Sequence, residues 1–391
     1  MIRLLNDRVF GRIGLILALV LLPGLGGKGM SEAAAEGCFE ASFGEASAQV
    51  VEALLEDGVP KYWLTARSPD GAILQVVGGW ARLEEGVLAR PSDRFALESV
   101  LKVLVAGEIV QQIAEGRLSD GSLNAIDSAY EFPSEGLRVG HLLGHRGGVP
   151  NLLRMVEYRE TLNGEPFRRW EADDILGRLA AVRDRWGELG KFGYSNENYL
   201  LLALFLEAVA GRDWEDVLRL GIHQQIGLST TRYGRENPAV AEEFADGYRF
   251  GAEPYRIEYG THWFNATGMN ASWAHAGGDA STTLDDLQRI ADWVLTTVNE
   301  RAWNTREAEL AGGWVEISAG VEYGAGRMRW DGRWIGHSGD VPGYSTVVLV
   351  DPETQWTVAL ACNLSNTPQK ENPAEKAGLN LLRALAGEVK P

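Results

Sequence analysis

The sequence contains a serine and a lysine spaced as a nucleophile and its base would be. Ser99 and Lys102 stand three residues apart in a Ser-x-x-Lys quartet. Residues three apart on a helix share a face, so the amine would lie near the hydroxyl. A hydroxyl is a weak nucleophile until a base takes its proton, and apolar surroundings can lower the pKa of a lysine enough for it to help. The alternative is that Ser99 only caps the helix and Lys102 is solvated.

The segment that carries this pair has the periodicity of a buried helix. Apolar residues recur at helical spacing from Val100 to Ile113, and Gly116 ends the pattern. The partial positive charge at a helix N-terminus favours an alkoxide developing on Ser99. An unpaired ammonium is costly in so apolar a helix, which favours a functional lysine over a solvated one.

A tyrosine and an asparagine precede a second predicted helix, Asn198–Ala210. The hydroxyl of Tyr194 could project into a cleft, and a nearby ammonium would favour its phenolate, so it could act as a base. The amide of Asn196 could hold a substrate carbonyl or the lysine. The alternative is that Tyr194 is a buried aromatic and Asn196 a helix N-cap.

A histidine and a glycine lie in a predicted strand near the C-terminus. His337 could orient a substrate carboxylate or assist proton transfer. Gly339 has no side chain, so a substrate could lie along the strand, and the amide N–H of Asp340 could donate to an oxyanion. The alternative for His337 is a histidine at a strand end beside a turn.

The strands and helices that must position these residues indicate an α/β (α+β) fold whose sheet domain is built from two separate parts of the sequence. A hairpin around Ser68–Gly71 and three late strands read as an antiparallel sheet flanked by helices, with a mainly helical insertion. We predict a signal peptide over 1–35, a sheet domain over 36–105 and 275–391, and a mainly helical domain over 106–274. The predicted strands are Tyr62–Ala66, Ile73–Val77, Trp334–Ser338, Ser345–Asp351 and Trp356–Cys362. Further predicted helices are 42–57, Ala172–Val182 and Ala374–Ala386.

Composition excludes several classes of function. The 391 residues are 45% hydrophobic and 23% charged, as in an ordinary soluble protein, and the net charge of −17 opposes binding to nucleic acid or anionic lipid. His141 and His145 have the spacing of zinc ligands, but no glutamate follows His141, so we predict neither a metal nor a cofactor.

The N-terminal segment indicates export. Three arginines precede the apolar run Ile13–Leu22, which is too short to span a bilayer comfortably, and Ala33–Ala35 offers a cleavage site. We therefore expect a periplasmic or secreted protein that is free of the membrane after cleavage, with an uncleaved anchor as the alternative. Export would permit a disulfide between Cys38 and Cys362, and two free cysteines are equally consistent with the sequence.

The three motifs together resemble those of serine β-lactamases and penicillin-binding proteins. The similarity is to the branch of class C β-lactamases, D-alanyl-D-alanine carboxypeptidases, D-aminopeptidases and related esterases. Its second motif, Tyr-x-Asn, is matched by Tyr194–Asn196, and its third, Lys-x-Gly or His-x-Gly, is matched by His337–Gly339. The resemblance covers about residues 45–388 and implies a β-lactamase/transpeptidase-like fold.

The resemblance also implies roles for these residues. Ser99 would be the acylated nucleophile, Lys102 its proton partner and Tyr194 the general base. Either Lys102 or Tyr194 could accept the first proton from Ser99. Substrate would contact four residues, and the N–H groups of Ser99 and Asp340 would form the oxyanion hole. The four predicted substrate-binding residues are Asn196, His337, Gly339 and Asp340.

Two departures from the family pattern bear on the substrate. His337 stands where true class C β-lactamases have a lysine, and a histidine there is more typical of a peptidase or esterase. Asp340 would repel a substrate carboxylate. The predicted function is an exported serine hydrolase that forms an acyl-enzyme with an ester, an amide or a D-amino-acid peptide. The alternative is a non-hydrolytic or slow-turnover receptor for β-lactams or peptidoglycan. The oligomeric state is left open.

Overall fold

A computed structural model describes residues 20–21, 30–119, 135–234, 244–251 and 262–387. Its central feature is an antiparallel sheet that both ends of the chain build. The strands are β1 Val20–Leu21, β2 Lys61–Arg67, β3 Ile73–Arg82, β4 Val87–Leu88, β5 Phe95–Ala96, β6 Arg232–Tyr233, β7 Tyr248–Gly251, β8 His262–Asn265, β9 Ala280–Thr282, β10 Val315–Ser318, β11 Val321–Tyr323, β12 Met328–Trp330, β13 Trp334–Val341, β14 Tyr344–Val350 and β15 Thr357–Cys362.

The large sheet has ten strands in the order β1-β3-β2-β15-β14-β13-β12-β11-β10, with β4 paired to β3. Two smaller sheets have the orders β5-β9-β6 and β7-β8. The helices are α1 Met30–Glu56, α2 Leu101–Ala114, α3 Val139–Leu143, α4 Val156–Gly164, α5 Ala172–Ala181, α6 Glu197–Ala210, α7 Trp214–Leu218, α8 Leu284–Asn299, α9 Arg301–Ala311 and α10 Pro373–Leu385. Within the described ranges, no helix is long and apolar enough to cross a membrane.

The two central strands are covered on both faces. Every residue of β14 and β15 is buried, and alternate side chains point to opposite faces of a strand. Val347 and Leu349 pack with α1 and α10, whereas Val348 and Val350 join the core that includes α2 and α8. Helix α10 packs closely because Gly378 faces Val347, where an added Cβ would lie 2.7 Å from the valine Cγ1.

The antiparallel sheet with flanking helices is confirmed, and so are the predicted hairpin, the three late strands and the helices, with ends shifted by a few residues. Helix α1 differs more: it begins at Met30 rather than near residue 42. The segment 106–274 is not purely helical, because β6, β7 and β8 lie within it. The proposed domain boundaries stay a prediction, and most of the apolar run near the N-terminus lies outside the described residues.

The three-stranded sheet connects the segment before Ser99 to two distant segments of the chain. Strand β5 ends two residues before Glu98 and pairs with β9, which pairs with β6. The segment before β6 is held by Asp286 of α8, whose buried carboxylate accepts hydrogen bonds from the backbone N–H groups and hydroxyls of Thr230 and Thr231 and from the N–H of Ser229. Burial alone would raise the pKa of Asp286, but these hydrogen bonds lower it below its usual value.

We predict that Asp286→Asn destabilises the fold by about 2–3 kcal/mol at pH 7, the net value expected for hydrogen bonds to a buried charge. Because the folded pKa is depressed, the contribution is present above the carboxyl's unfolded pKa and is lost as the pH falls through the folded value. Urea denaturation at pH 7 and pH 3 measures both effects. Asp285→Asn, at the exposed neighbouring position, is the control; equal losses in the two variants would contradict the prediction.

Candidate active site

The predicted nucleophile lies at a sharp turn into a buried helix. A single 3-10 turn, Glu98–Val100, opens α2, and Ser99 is partly exposed while both of its neighbours are buried. Glu98 has a φ of +59°, a left-handed conformation uncommon for a residue other than glycine. This backbone leaves the Ser99 hydroxyl accessible above an apolar helix.

Lys102 and Tyr194 both contact that hydroxyl. Lys102 Nζ and Tyr194 Oη each lie 3.0 Å from Ser99 Oγ. The helical spacing therefore gives the predicted serine–lysine contact, and the loop before α6 contributes the tyrosine. Three predicted catalytic residues from two distant segments thus meet at one oxygen.

The lysine amine is wholly buried and has three oxygen neighbours. Besides Ser99 Oγ, Nζ contacts Asn196 Oδ1 at 2.8 Å and the carbonyl oxygen of Gly277. Burial holds the pKa of Lys102 well below its usual value, against a smaller opposing effect of Glu197. A neutral amine has two N–H donors and one lone pair. The two carbonyl-type oxygens take the donors, which leaves the lone pair to accept the Ser99 proton.

The tyrosine is a phenol in the resting site. Burial raises the pKa of Tyr194, and its hydrogen bond to Ser99 only partly offsets this. The sequence argument expected a nearby ammonium to favour the phenolate, but burial favours the neutral form of Lys102, which weakens that effect. The Tyr194 hydroxyl therefore donates to Ser99 Oγ, and its role as a base stays a prediction.

The third predicted motif lies directly against the nucleophile. A Cβ added to Gly339 would lie 2.7 Å from both the backbone nitrogen of Ser99 and the Cβ of Glu98, so only glycine permits this approach. The next residue of β13, Asp340, is exposed beside it. Strand β13 therefore runs along the Glu98–Ser99 backbone, where the N–H groups of Ser99 and Asp340 are predicted to bind an oxyanion.

A sequence profile described as Beta-lactamase matches residues 49–383. The chain belongs to the beta-lactamase family. It is 24% identical over 326 residues to a penicillin-binding protein of Bacillus subtilis (strain 168), covering 78% of this chain and 68% of that protein. This family of serine hydrolases also gives the chain its class of activity, hydrolysis.

Solved structures share the beta-lactamase-family fold at low identity. D-amino acid amidase from Ochrobactrum anthropi SV3, complexed with D-phenylalanine, has a TM-score of 0.74 at 20% identity, covering 89% of this chain and 99% of the amidase. A D-stereospecific amidohydrolase from Streptomyces sp. has a TM-score of 0.70 at 20% identity, covering 88% and 99%. These similarities establish the β-lactamase/transpeptidase-like fold.

His337 occupies its family motif, but its ring is buried. Its Nδ1 contacts the carbonyl oxygen of Ser338, and its Nε2 lies 3.2 Å from the hydroxyl of Tyr323. Burial, with a smaller contribution from Lys102 when that amine is charged, lowers the pKa of His337 to about 3. A neutral ring with both nitrogens hydrogen-bonded inside the protein offers no positive charge to a substrate carboxylate.

Several residues in or beside this site were missed by sequence reasoning. The strained backbone of Glu98 has no sequence signal, and the Gly277 carbonyl is a main-chain atom. Sequence reasoning gave no role to Tyr323 and no catalytic or positioning role to His145. His141 Nδ1 accepts from the backbone N–H of Arg138, and the part of the chain that is described contains no cluster of three or more potential metal ligands.

Cys362 is buried and free, and burial raises the pKa of its thiol. The side chain of Cys38 lies outside the described residues. Cys362 therefore forms no disulfide in this structure, and it takes no part in the site.

We predict that Asn196→Asp slows phosphonylation of Ser99 by a fluorophosphonate at least about tenfold at pH 7. A carboxylate in place of Asn196 Oδ1 raises the pKa of Lys102 because it stabilises the ammonium, which has no lone pair for the serine proton. The rate should recover as the pH rises through the new pKa. Intact-mass measurement of adduct formation against pH gives this profile.

The control is Asn196→Ala, which removes the same acceptor without adding charge. It should leave the position of the pH profile close to that of the wild type. An aspartate variant whose profile coincides with that of the alanine variant would show that a neutral Lys102 is not what activates Ser99.

Proposed function

We propose that the protein is an exported serine acyl hydrolase that cleaves an ester, an amide or a D-amino-acid peptide through an acyl-enzyme on Ser99. The observation that carries the proposal is the meeting of Lys102 Nζ and Tyr194 Oη at 3.0 Å from Ser99 Oγ. Family membership supports the hydrolytic class, and the geometry supports the order of proton transfers. Export is supported by the basic and apolar pattern of the N-terminal segment.

In the first half-reaction, Ser99 Oγ attacks the substrate carbonyl carbon while its proton passes to Lys102 Nζ. The carbonyl oxygen becomes an oxyanion beside the N–H groups of Ser99 and Asp340. The tetrahedral intermediate collapses when the bond to the leaving group breaks. Tyr194 donates its proton to the leaving amine or alkoxide and regains one from the Lys102 ammonium.

In the second half-reaction, a water molecule attacks the acyl carbon. Tyr194 accepts the water proton while it passes its own proton to the once more neutral Lys102, the bond to Ser99 Oγ breaks, and the Lys102 ammonium returns a proton to the serine. The reaction returns every group to its starting state. Because the same pair of groups serves both halves, they titrate as one coupled unit.

A cavity of about 240 Å³ next to Asp340 is where we place the substrate's side group. Trp170, Trp273 and Met269 give it apolar walls, and Arg249 and Asp340 give it charges of both signs. Asp340 is an exposed residue, although desolvation of its carboxyl raises its pKa against the opposing charge of Arg249, which is largely buried. A substrate with an ammonium close to the scissile carbonyl and an apolar side group fits this arrangement. D-phenylalanine, with which the amidase neighbour is complexed, has that chemistry.

The central test is intact mass after exposure of the exported protein to a fluorophosphonate, with Ser99→Ala as the control. We expect a single adduct on the wild type and none on the variant, and the same spectrum reports whether residues 1–35 have been removed. A panel of p-nitrophenyl esters, D-amino-acid amides and penicillins then measures turnover. A stable acyl adduct with no turnover of any substrate would favour the slow receptor instead.

We predict that the protein prefers D-alanine p-nitroanilide over its N-acetyl derivative, because the free ammonium is attracted to Asp340. Asp340→Asn should reduce that preference about fivefold, the size expected for one exposed ion pair. Glu353→Gln removes an exposed carboxylate at the β14–β15 turn and is the matched control. An unchanged ratio of kcat/KM values in Asp340→Asn would contradict the assignment.

A further inference from the structure

Three buried aromatic rings lie in a row behind the catalytic oxygen. His145 Nε2 lies 3.2 Å from the hydroxyl of Tyr323, and that hydroxyl lies 3.2 Å from His337 Nε2. The rings come from the loop after α3, from β11 and from β13, and each is at most 1% exposed. The proposed reaction uses neither Tyr323 nor His145, so the row needs a separate explanation.

The proton on His145 is fixed by what its other nitrogen faces. His145 Nδ1 lies 3.4 Å from the backbone N–H of Ser195 and 3.0 Å from the amide nitrogen of Asn198. A backbone N–H only donates. Asn198 Nδ2 also faces the carbonyl oxygen of Ser195, which only accepts, so this atom is the NH₂ group. Nδ1 is therefore bare, and neutral His145 carries its proton on Nε2.

The proton on His337 is fixed in the same way. Its Nδ1 faces the carbonyl oxygen of Ser338, so Nδ1 carries the proton and Nε2 is bare. Tyr323 then donates its hydroxyl proton to His337 Nε2 and accepts from His145 Nε2–H. Burial raises the pKa of Tyr323 well above its usual range, so this hydroxyl remains a donor. All hydrogen bonds in the row run in one direction, from Ser195 to Ser338.

We infer that Tyr323 and His145 are positioning residues that couple the second motif to the third through this directed hydrogen-bond chain. One end is Ser195, between Tyr194 and Asn196, and the other is Ser338, next to Gly339. The ring of His145 also packs 4.3 Å from that of Tyr194, and His145 keeps a left-handed φ of +54° to reach both. The inference rests on the proposed acyl-enzyme reaction.

The chain has a second consequence for the reaction. Lys102 becomes an ammonium when it accepts the Ser99 proton, and cationic rings nearby would oppose that step. Burial holds the pKa values of both histidines well below the usual value, and the charge that Lys102 gains in that step lowers them further. The fixed hydrogen-bond directions also satisfy each ring only in its neutral form. The chain thus positions the motifs without placing a second positive charge beside Lys102.

The test is nitrogen NMR of the full-length protein labelled with ¹⁵N-histidine, with His145→Gln and His337→Gln to assign the signals. At pH 7 we expect His145 as the neutral Nε2–H tautomer and His337 as the neutral Nδ1–H tautomer. In Tyr323→Phe, the His337 signals should shift to a mixture of tautomers. Phosphonylation of Ser99 should slow about tenfold, the effect of one lost buried hydrogen bond.

Tyr233→Phe is the matched control. It removes a buried tyrosine hydroxyl that lies 3.1 Å from Nδ1 of another histidine, His223, outside the row. It should change the His223 signals and leave the Ser99 rate and the other two histidines unchanged. A purely structural effect would lower stability in both variants without this selectivity.

The wild-type spectrum alone can overturn the inference: either ring cationic at pH 7, or both rings in the same tautomer, would do so even if Tyr323→Phe failed to fold. Unchanged His337 signals in a folded Tyr323→Phe protein would also overturn it. These outcomes leave the proposed function standing if the wild type still forms the Ser99 adduct. The expected tautomers in a protein that forms no adduct would instead defeat the proposed function.

Discussion

Burial of one amine is the constraint on which the site depends. Lys102 is enclosed by protein, so an ammonium there would lose its hydration. The neutral amine avoids the free-energy cost of that desolvation. The neutral state then requires two acceptors for its N–H groups, which Asn196 and Gly277 supply. The remaining lone pair faces Ser99. The lowered pKa of Lys102 is therefore a consequence of the elements that pack over the apolar helix α2. Those same elements carry the other two motifs.

The covering elements reach the nucleophile from three parts of the chain. The loop before α6 brings Tyr194, the small sheet of β5, β9 and β6 brings the Gly277 segment, and β13 brings Gly339 against the Ser99 backbone. The row of His145, Tyr323 and His337 connects two of these approaches. A shift of any one would separate atoms that now lie about one hydrogen bond apart.

Sequence reasoning succeeded where the signal was local. The apolar periodicity that begins at Val100 defines α2, and a spacing of three places Lys102 over Ser99 whatever the rest of the fold does. It failed where the outcome depended on distant packing. The protonation of Tyr194 depends on whether Lys102 is charged, and Tyr323 meets His145 across 178 residues of sequence. The left-handed backbone of Glu98 lies where Gly339 of β13 approaches it, and no sequence pattern around Glu98 predicts that conformation.

The most direct measurement is the titration of Lys102 in the intact protein, followed by ¹³C NMR of lysine Cε, with Lys102→Met to identify its signal among the seven lysines. The account predicts one resonance, absent from the variant, that reports a neutral amine at pH 8 and titrates well below the usual lysine pKa of about 10.4. A Lys102 resonance that titrates near 10.4 would contradict it, because the amine would then be an ammonium with no lone pair for the serine proton.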